Sequence, residues 1–230
     1  MAQSRGNRER SERSLGRRRP VREPKRSILI VCEGEKTEPL YFGSMKADRD
    51  LGLTTVHIEI CGEECGSAPI SVVNYAIQRI EERKQEAKDS VFKLPFEQVF
   101  CVMDKDHHPS LDEALDVIKA SKGKKPPIEA IISCPCFEIW FLLHFRYSAK
   151  PYTNFDELKP DVVSCLPDYD KGSDIYSILK PMTQQAITHA AQLESHNAKT
   201  SNDRVPNPST QVHKLVKALQ EMEQKKSILQ

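Results

Sequence analysis

The chain has 230 residues, of which 38% are hydrophobic and 29% are charged. This composition is typical of one large globular domain, or of a core domain with an appendage. A membrane-spanning helix is excluded, because the longest apolar run, Phe137–Phe145, is far shorter than about 20 residues and contains Glu138 and His144. The seven cysteines are scattered among apolar positions and no signal-peptide core is visible. We therefore expect a reduced, cytoplasmic protein with no membrane partner.

The net charge of +1 is unevenly distributed along the chain. Residues 1–26 contain ten Lys or Arg and three Glu, a net charge of +7, whereas the remainder carries 24 basic and 30 acidic residues. Such basic, apolar-poor segments are usually disordered and often contact nucleic acid, although a solubilising tail has the same composition. We predict a disordered basic arm over residues 1–26, with Arg17, Arg18 and Arg19 as candidate nucleic-acid contacts.

After the arm, strand and helix patterns alternate up to about residue 147. The order β-α-β-α-β-α-β-α predicts an α/β fold with a mostly parallel sheet and helices on both faces. The predicted strands are Ser27–Cys32, Thr54–Cys61, Val99–Met103 and Ile128–Cys134. Helices are predicted after Thr37 and after Ser110, and over Ala68–Lys88 and Pro135–Phe145.

Beyond residue 147 no strand pattern is convincing, so the sequence predicts a mainly helical C-terminal extension over residues 148–230, packed on a core of residues 27–147. Prolines interrupt Tyr152–Asp170, which we expect to be irregular. The predicted helices are Ile175–Leu179, Met182–His196 and Ser209–Gln224, the last two separated by a loop over Asn197–Pro208.

Acidic residues follow two of the predicted strands. Glu33 comes directly after the first strand, and Asp104 and Asp106 follow the third. The carboxyl ends of parallel strands face one edge of a sheet, where ligands collect. Carboxylates brought together repel one another, and a divalent cation, Mg²⁺ or Mn²⁺, would explain the cluster and indicate phosphate chemistry. Alternatively, Asp-x-Asp marks a solvated turn, and Glu33 and Glu35 only stabilise the next helix N-terminus.

Three further residues are candidates for the same site. Glu138 lies at the start of its helix, just beyond a strand end, and could join the acidic edge. His144 could act as a general acid or base, although a lone histidine in an apolar helix is more often a satisfied core residue. Lys36 could contact a phosphate, or it could simply be solvated.

Four segments together resemble the RloB-like family: Ile28–Phe42, Val99–Asp106, Ser133–Phe145 and Asn207–Val216. These proteins are encoded near bacterial restriction systems and are thought to be related to Toprim nucleases. The resemblance implies a Toprim-like core, in which a glutamate after the first strand and an Asp-x-Asp after a later strand bind Mg²⁺. Glu33, Asp104 and Asp106 occupy the matching positions, and Glu138 and His144 fall within a motif of the family itself.

We therefore expect a Mg²⁺-dependent nuclease acting on DNA or RNA. The family context implies anti-phage defence, such as abortive infection, with an ATPase encoded nearby as a candidate partner. Glu33, Asp104 and Asp106 would hold the cation or act on protons, and Glu138 and His144 are further catalytic candidates. The alternatives are a non-catalytic regulatory module that binds nucleic acid or a nucleotide, and a nucleotidyl-transfer enzyme.

Overall fold

The computed structural model describes residues 26–53, 56–90, 93–106 and 108–224, so the predicted contacts Arg17, Arg18 and Arg19 lie outside the described residues. The strands are β1 (Arg26–Cys32), β2 (Val56–Cys61), β3 (Gln98–Asp104), β4 (Ile128–Cys134) and β5 (Ser209–Thr210). The helices are α1 (Thr37–Ala47), α2 (Pro69–Asp89), α3 (Leu111–Ala120), α4 (Glu138–Phe145), α5 (Phe155–Val163), α6 (Tyr176–Leu179), α7 (Thr183–Thr200) and α8 (Val212–Gln224). Short 3-10 turns lie at Arg49–Leu51, Glu63–Cys65 and Lys180–Met182.

The five strands form one sheet in the order β2-β1-β3-β4-β5. The first four strands are mutually parallel, and only β5 runs antiparallel to its neighbour β4. The prediction of a mixed α/β fold with a mostly parallel sheet is confirmed. The chain leaves β1 for β2 on one side and then returns past β1 to β3 on the other. The gap beyond the carboxyl ends of β1 and β3 is therefore a topological switch point, where open α/β sheets bind ligands.

Helices cover both faces of the sheet because side chains alternate along its buried strands. Ile28 and Ile30 of β1 face a large hydrophobic cluster formed with α1, α4, α5, α7 and α8. Leu29 and Val31 face a second cluster formed with α2 and α3. All four side chains are fully buried, which explains why β1 is apolar at consecutive positions rather than at alternate ones.

The residues after 147 share one hydrophobic core with the sheet. Leu158 of α5, Leu193 of α7 and Leu215 of α8 belong to the same buried cluster as Ile30. Helix α4 lies within this core, so it is apolar on all sides and Trp140 is fully buried. No helix in the described ranges is both long enough and apolar enough to cross a membrane.

Two local predictions for the C-terminal region are wrong. Part of the predicted irregular stretch is α5, whose first turn is capped by Asn154, and the proline inside this helix, Pro160, does not end it. The helix forms because Leu158 and Val162, one turn apart, are both buried. In addition, the predicted last helix begins at Val212, because the residues before it form the short strand β5.

We expect a chain shortened to residues 26–147 to lose cooperative unfolding. The truncation removes α5, α7 and α8, and it exposes the apolar surface of α4 and one face of the sheet to water. Thermal unfolding followed by circular dichroism would show a broad or absent transition. A chain of residues 26–224, which keeps every described element, is the control and should unfold in one sharp step. Cooperative melting of the shorter chain would contradict the shared core.

Candidate functional site

An acidic cavity of about 500 Å³ opens at the switch point, beyond the carboxyl ends of β1 and β3. It lies between the loop that enters α1, the Asp-x-Asp turn after β3 and the first turn of α4. Its basic residues are Lys36 and Lys171, and its acidic residues are Glu33, Glu35, Glu38, Asp104, Asp106 and Glu138.

Glu33 and Asp104 are brought together by the pairing of β1 with β3. The N–H of Glu33 donates to the carbonyl of Val102 at 3.0 Å, which extends the strand pairing by one residue. The N–H of Asp104 in turn donates to Oε2 of Glu33 at 3.0 Å. The two acids predicted from strand ends that are far apart in sequence are therefore neighbours in space.

One carboxylate oxygen of Asp104 is a buried, unsatisfied hydrogen-bond acceptor. Its Oδ1 atom is buried and has no hydrogen-bond partner among the described residues. Burial, followed by the charges of Glu38, Glu138 and Glu33, raises the pKa of Asp104 well above its ordinary value. A buried carboxylate is costly unless a proton or a cation neutralises it, so this oxygen is suited to binding a cation.

Glu33 titrates close to neutral pH. Burial raises its pKa to about 7, with a smaller contribution from the charges of Asp106 and Glu38. The hydrogen bond from the Asp104 N–H acts in the opposite direction, because it stabilises the charged carboxylate. A carboxyl group with such a pKa can either hold or release a proton under physiological conditions.

Glu38 was not singled out from the sequence, yet it lies in the cavity. It is in the first turn of α1, it is only 4% exposed, and burial raises its pKa. Its carboxylate rests against Gly34: a Cβ at that position would lie 2.0 Å from Oε2 of Glu38. A glutamate in the first turn of a helix is normally solvated and interacts with the helix dipole. In the sequence, only Gly34, which leaves room for the side chain, indicates that Glu38 points inward.

Glu138 joins the cavity, as the sequence suggested, and the C-terminal region supplies its partners. Glu138 is 2% exposed and accepts a hydrogen bond from the Tyr169 hydroxyl at 2.9 Å. The ammonium of Lys171 lies 3.8 Å from the same Oε1 atom and 4.2 Å from the centre of the Phe155 ring. Neither Tyr169 nor Lys171 was predicted, because their segment has no pattern that relates it to the strand ends.

The remaining predicted residues of the cavity are exposed. Asp106 lines the cavity, and its Oδ1 accepts the N–H of His108 at 2.8 Å, which fixes the turn after β3. Lys36 lies at the rim with its side chain exposed. Both residues can contact a ligand entering from solvent.

The structure does not bring His144 to the carboxylates, which corrects its proposed catalytic role. His144 is in the last turn of α4, whereas Glu138 is in the first, and it is fully buried outside the cavity. Its Nδ1–H donates to the Trp140 carbonyl at 2.9 Å, and the two rings are 4.7 Å apart. Burial lowers the pKa of His144 to about 4, so the ring is a neutral core group.

The donor set fits Mg²⁺ better than a metal held by protein ligands alone. In the described part of the chain, no three His, Cys, Asp or Glu side chains are grouped so as to hold one ion. A structural zinc ion takes four protein ligands, whereas Mg²⁺ keeps several waters and uses one or two carboxylates together with phosphate oxygens. Asp104, with its unpaired oxygen, and the adjacent Glu33 provide such a pair.

The fold and the cavity define an α/β protein with an acidic site at the switch point of its sheet. A family model described as RloB-like protein matches residues 28–219, and the chain therefore belongs to the RloB-like family. The matched range includes all five strands except the first two residues of β1, and it also includes Tyr169 and Lys171. Neither the curated proteins nor the solved structures gave a match.

We expect His144 to destabilise the protein in acid. Its folded-state pKa lies below its unfolded value of about 6.5, so the unfolded chain binds the proton more tightly and stability falls as the pH drops from about 6.5 towards 4. His144→Phe should remove this loss, which amounts to at most about 3 kcal/mol. Unfolding temperatures measured at pH 7 and pH 4.5 test this. His196→Phe, on the exposed side of α7, should behave like the wild type.

We expect the acidic cavity to destabilise the metal-free protein at alkaline pH. The pKa values of Glu33 and Asp104 are raised in the folded state, so the folded protein binds more protons and stability falls as the pH rises from about 4.5 through 7. In EDTA at pH 8, Asp104→Asn should raise the unfolding temperature by about 3 °C or more. Mg²⁺ should stabilise the wild type and not this variant.

The exposed residue Asp156 provides the matched control for this charge removal. Asp156→Asn should leave both the pH dependence and the effect of Mg²⁺ as in the wild type. If the wild type and Asp104→Asn have equal unfolding temperatures at pH 8, with or without Mg²⁺, the cavity carboxylates do not destabilise the folded protein.

Proposed function

We propose that this protein is a Mg²⁺-dependent nuclease with a Toprim-like active site at the edge of β1 and β3. The observation that carries the proposal is the buried, unpaired Oδ1 of Asp104 beside the carboxylate of Glu33. A glutamate after the first strand and an Asp-x-Asp after a later one is also the arrangement that the Toprim resemblance implies. Membership of the RloB-like family supports the same conclusion.

In this proposal Asp104 and Glu33 hold the cation, with Asp106 at the open side of the cavity. Mg²⁺ (or Mn²⁺), when bound, neutralises charge on the phosphoryl oxygens and makes a water more acidic. Asp104 is the last residue of β3 and its N–H donates to Glu33, so its position is fixed before substrate arrives.

Glu33 is also a candidate for moving a proton, because its pKa of about 7 allows both protonation states. Glu138 is held by Tyr169 and faces Lys171, and it either completes the acidic set or orients the lysine. Hydrolysis of a phosphodiester adds one water: its oxygen bonds to phosphorus, one ester P–O bond breaks, and the leaving oxygen gains a proton.

The surroundings of the cavity support a polyanionic substrate. Lys36 and Lys171 flank the carboxylates and leave their ammonium groups accessible. The basic segment before β1 adds positive charge in the sequence, including Arg17, Arg18 and Arg19. Contacts of this kind bind the phosphate backbone without regard to sequence and weaken with salt. Action in anti-phage defence, with an ATPase encoded nearby as partner, is the setting that the family resemblance suggests.

A second candidate function is a non-catalytic module that binds nucleic acid or a nucleotide and regulates a partner. The observation in its favour is that Lys36 and Lys171 flank the carboxylates, because ammonium groups can bind phosphate without cleaving it. In that case the carboxylates would bind a cation only as a bridge to phosphate, and no bond would break.

Cleavage assays with purified protein separate the two functions. With Mg²⁺ or Mn²⁺, the wild type should cut plasmid DNA or transfer RNA, and EDTA should stop it. We expect Glu33→Gln and Asp104→Asn to lower the rate by about 100-fold or more, because each removes a carboxylate from the site where charge is neutralised.

His144→Phe is the internal control for these assays, since it alters a buried residue outside the cavity. It should cleave within about two-fold of the wild type, in line with the small effect expected of a residue that does not touch the reacting groups. Binding of both nucleic acids by the wild type and no cleavage of either would favour the regulatory module and contradict the nuclease.

A further inference from the structure

Lys105 lies between the two aspartates of the Asp-x-Asp turn, yet its side chain leaves the acidic cavity. Its ammonium donates to the backbone carbonyl of Val205 at 2.6 Å, across 100 residues of sequence. Its own N–H donates to the Ser133 carbonyl at 2.7 Å, which continues the pairing of β3 with β4. The nearest positive charge in sequence therefore ties the turn to the C-terminal region and does not neutralise the aspartates beside it.

The residue next to Val205, Arg204, contacts helix α3. Arg204 donates to Oδ1 of Asp112 at 3.1 Å and to Oδ1 of Asp116 at 3.0 Å, one turn apart on α3. Helix α3 is the first element after the Asp-x-Asp turn. Two consecutive residues of one loop, Arg204 and Val205, thus contact the β3–α3 connection at two points. Val205 contacts Lys105 within the Asp-x-Asp turn, and Arg204 contacts α3 after the turn.

This loop, residues 201–208, is here called the C-terminal strap, and both of its ends are anchored. At its first residue the Ser201 N–H donates to the Asn197 carbonyl of α7 at 2.9 Å, and at its last residue the Pro208 carbonyl accepts from Nδ2 of the same Asn197 at 2.8 Å. Beyond Pro208 the chain enters β5, where the Thr210 hydroxyl lies 3.0 Å from the Ser133 hydroxyl. Since Ser133 pairs with Asp104 in the sheet register, the strap is connected to the aspartate strand through β4 as well.

The middle of the strap lies against both apolar side chains and a cavity. Val205 is buried in the same hydrophobic cluster as Leu111 of α3. A cavity of about 420 Å³ lies beside it, lined by Leu115, Ala130 and Ile132 together with strap residues. The apolar contact of Val205 and the polar links of Lys105 and Arg204 therefore together hold the β3–α3 connection against the strap.

We propose that the C-terminal strap positions the Asp-x-Asp turn for cation binding, with Lys105 and Arg204 as positioning residues. This rests on the proposed function of the acidic cavity. Groups that orient metal ligands typically change metal affinity by about 10- to 100-fold when they are removed. Removing the charge of Lys105 or Arg204 changes cation affinity in opposite directions under the two explanations. Simple electrostatics predicts stronger cation binding, because a positive charge near the carboxylates is lost, whereas loss of the strap contact predicts weaker binding.

The test measures Mn²⁺ affinity by titration calorimetry in full-length Lys105→Met and Arg204→Gln. Both variants should bind Mn²⁺ about ten-fold more weakly than the wild type. Hydrogen exchange of the peptides covering Asp104 to Asp116 should become faster in both. Lys105→Arg keeps a donor that can reach the Val205 carbonyl, so it should restore most of the affinity.

Lys119→Met is the matched control, because it removes a positive charge from the exposed end of α3 away from the strap. It should leave exchange unchanged and should not weaken Mn²⁺ binding. Unfolding temperatures within about 2 °C of the wild type would show that the variants fold, as expected when an exposed ion pair or a single partly buried hydrogen bond is removed.

The outcomes separate the strap from the proposed function. If the wild type binds Mn²⁺ and both strap variants bind it equally well or more tightly, the strap proposal is overturned and the acidic site stands. Unchanged exchange between Asp104 and Asp116 in both variants overturns the strap regardless of metal. If the wild type itself binds no Mn²⁺, the proposed function fails, and with it the strap's role in cation binding.

Discussion

The burial of like charges between β1 and β3 is the constraint on which the site depends. Two central strands bring Asp104 and Glu33 together, and helices on both faces exclude water from the side chains behind them. Burial of this kind opposes folding unless a proton or a cation compensates it. A fold that nevertheless retains several carboxylates at its switch point has the electrostatic character of a functional site, where strongly shifted pKa values are common.

The C-terminal region contributes to this site as well as to the hydrophobic core. Tyr169 and Lys171 approach Glu138 from one side, and the strap holds the Asp-x-Asp turn from the other. The same region packs its helices against α4 and the sheet. Side chains far apart in the sequence therefore set the geometry of the acidic cavity together, and the sheet alone does not define it.

The sequence predicted the features that depend on local patterns. The apolar runs of β1 and β3, each ending in an acid, indicate buried parallel strands, and parallel pairing alone places Glu33 beside Asp104. Long-range features were not accessible in this way. The prolines of the segment containing α5 suggested irregular structure because the burial of Leu158 and Val162 depends on distant elements. β5 has only two residues, too few for an alternating pattern.

The direction of individual side chains also required the structure. Helix α4 is buried on all sides, so its sequence cannot show that Glu138 faces the cavity while His144 faces the core. Glu38 resembles any acidic residue at a helix start, and its inward position depends on the space that Gly34 leaves. The family resemblance named four of the acids, Glu33, Asp104, Asp106 and Glu138, but it could not supply Glu38, Tyr169 or Lys171.

The shortness of β5 has a consequence for how the molecule behaves at high concentration. β5 pairs only with Ser133 and Cys134, so among the described residues no strand covers the outer side of β4 from Ile128 to Ile131. Uncovered strands of this kind invite edge-to-edge association between molecules. Glu129 is exposed in this stretch, and a charged side chain on an uncovered edge is one of the features that oppose such association.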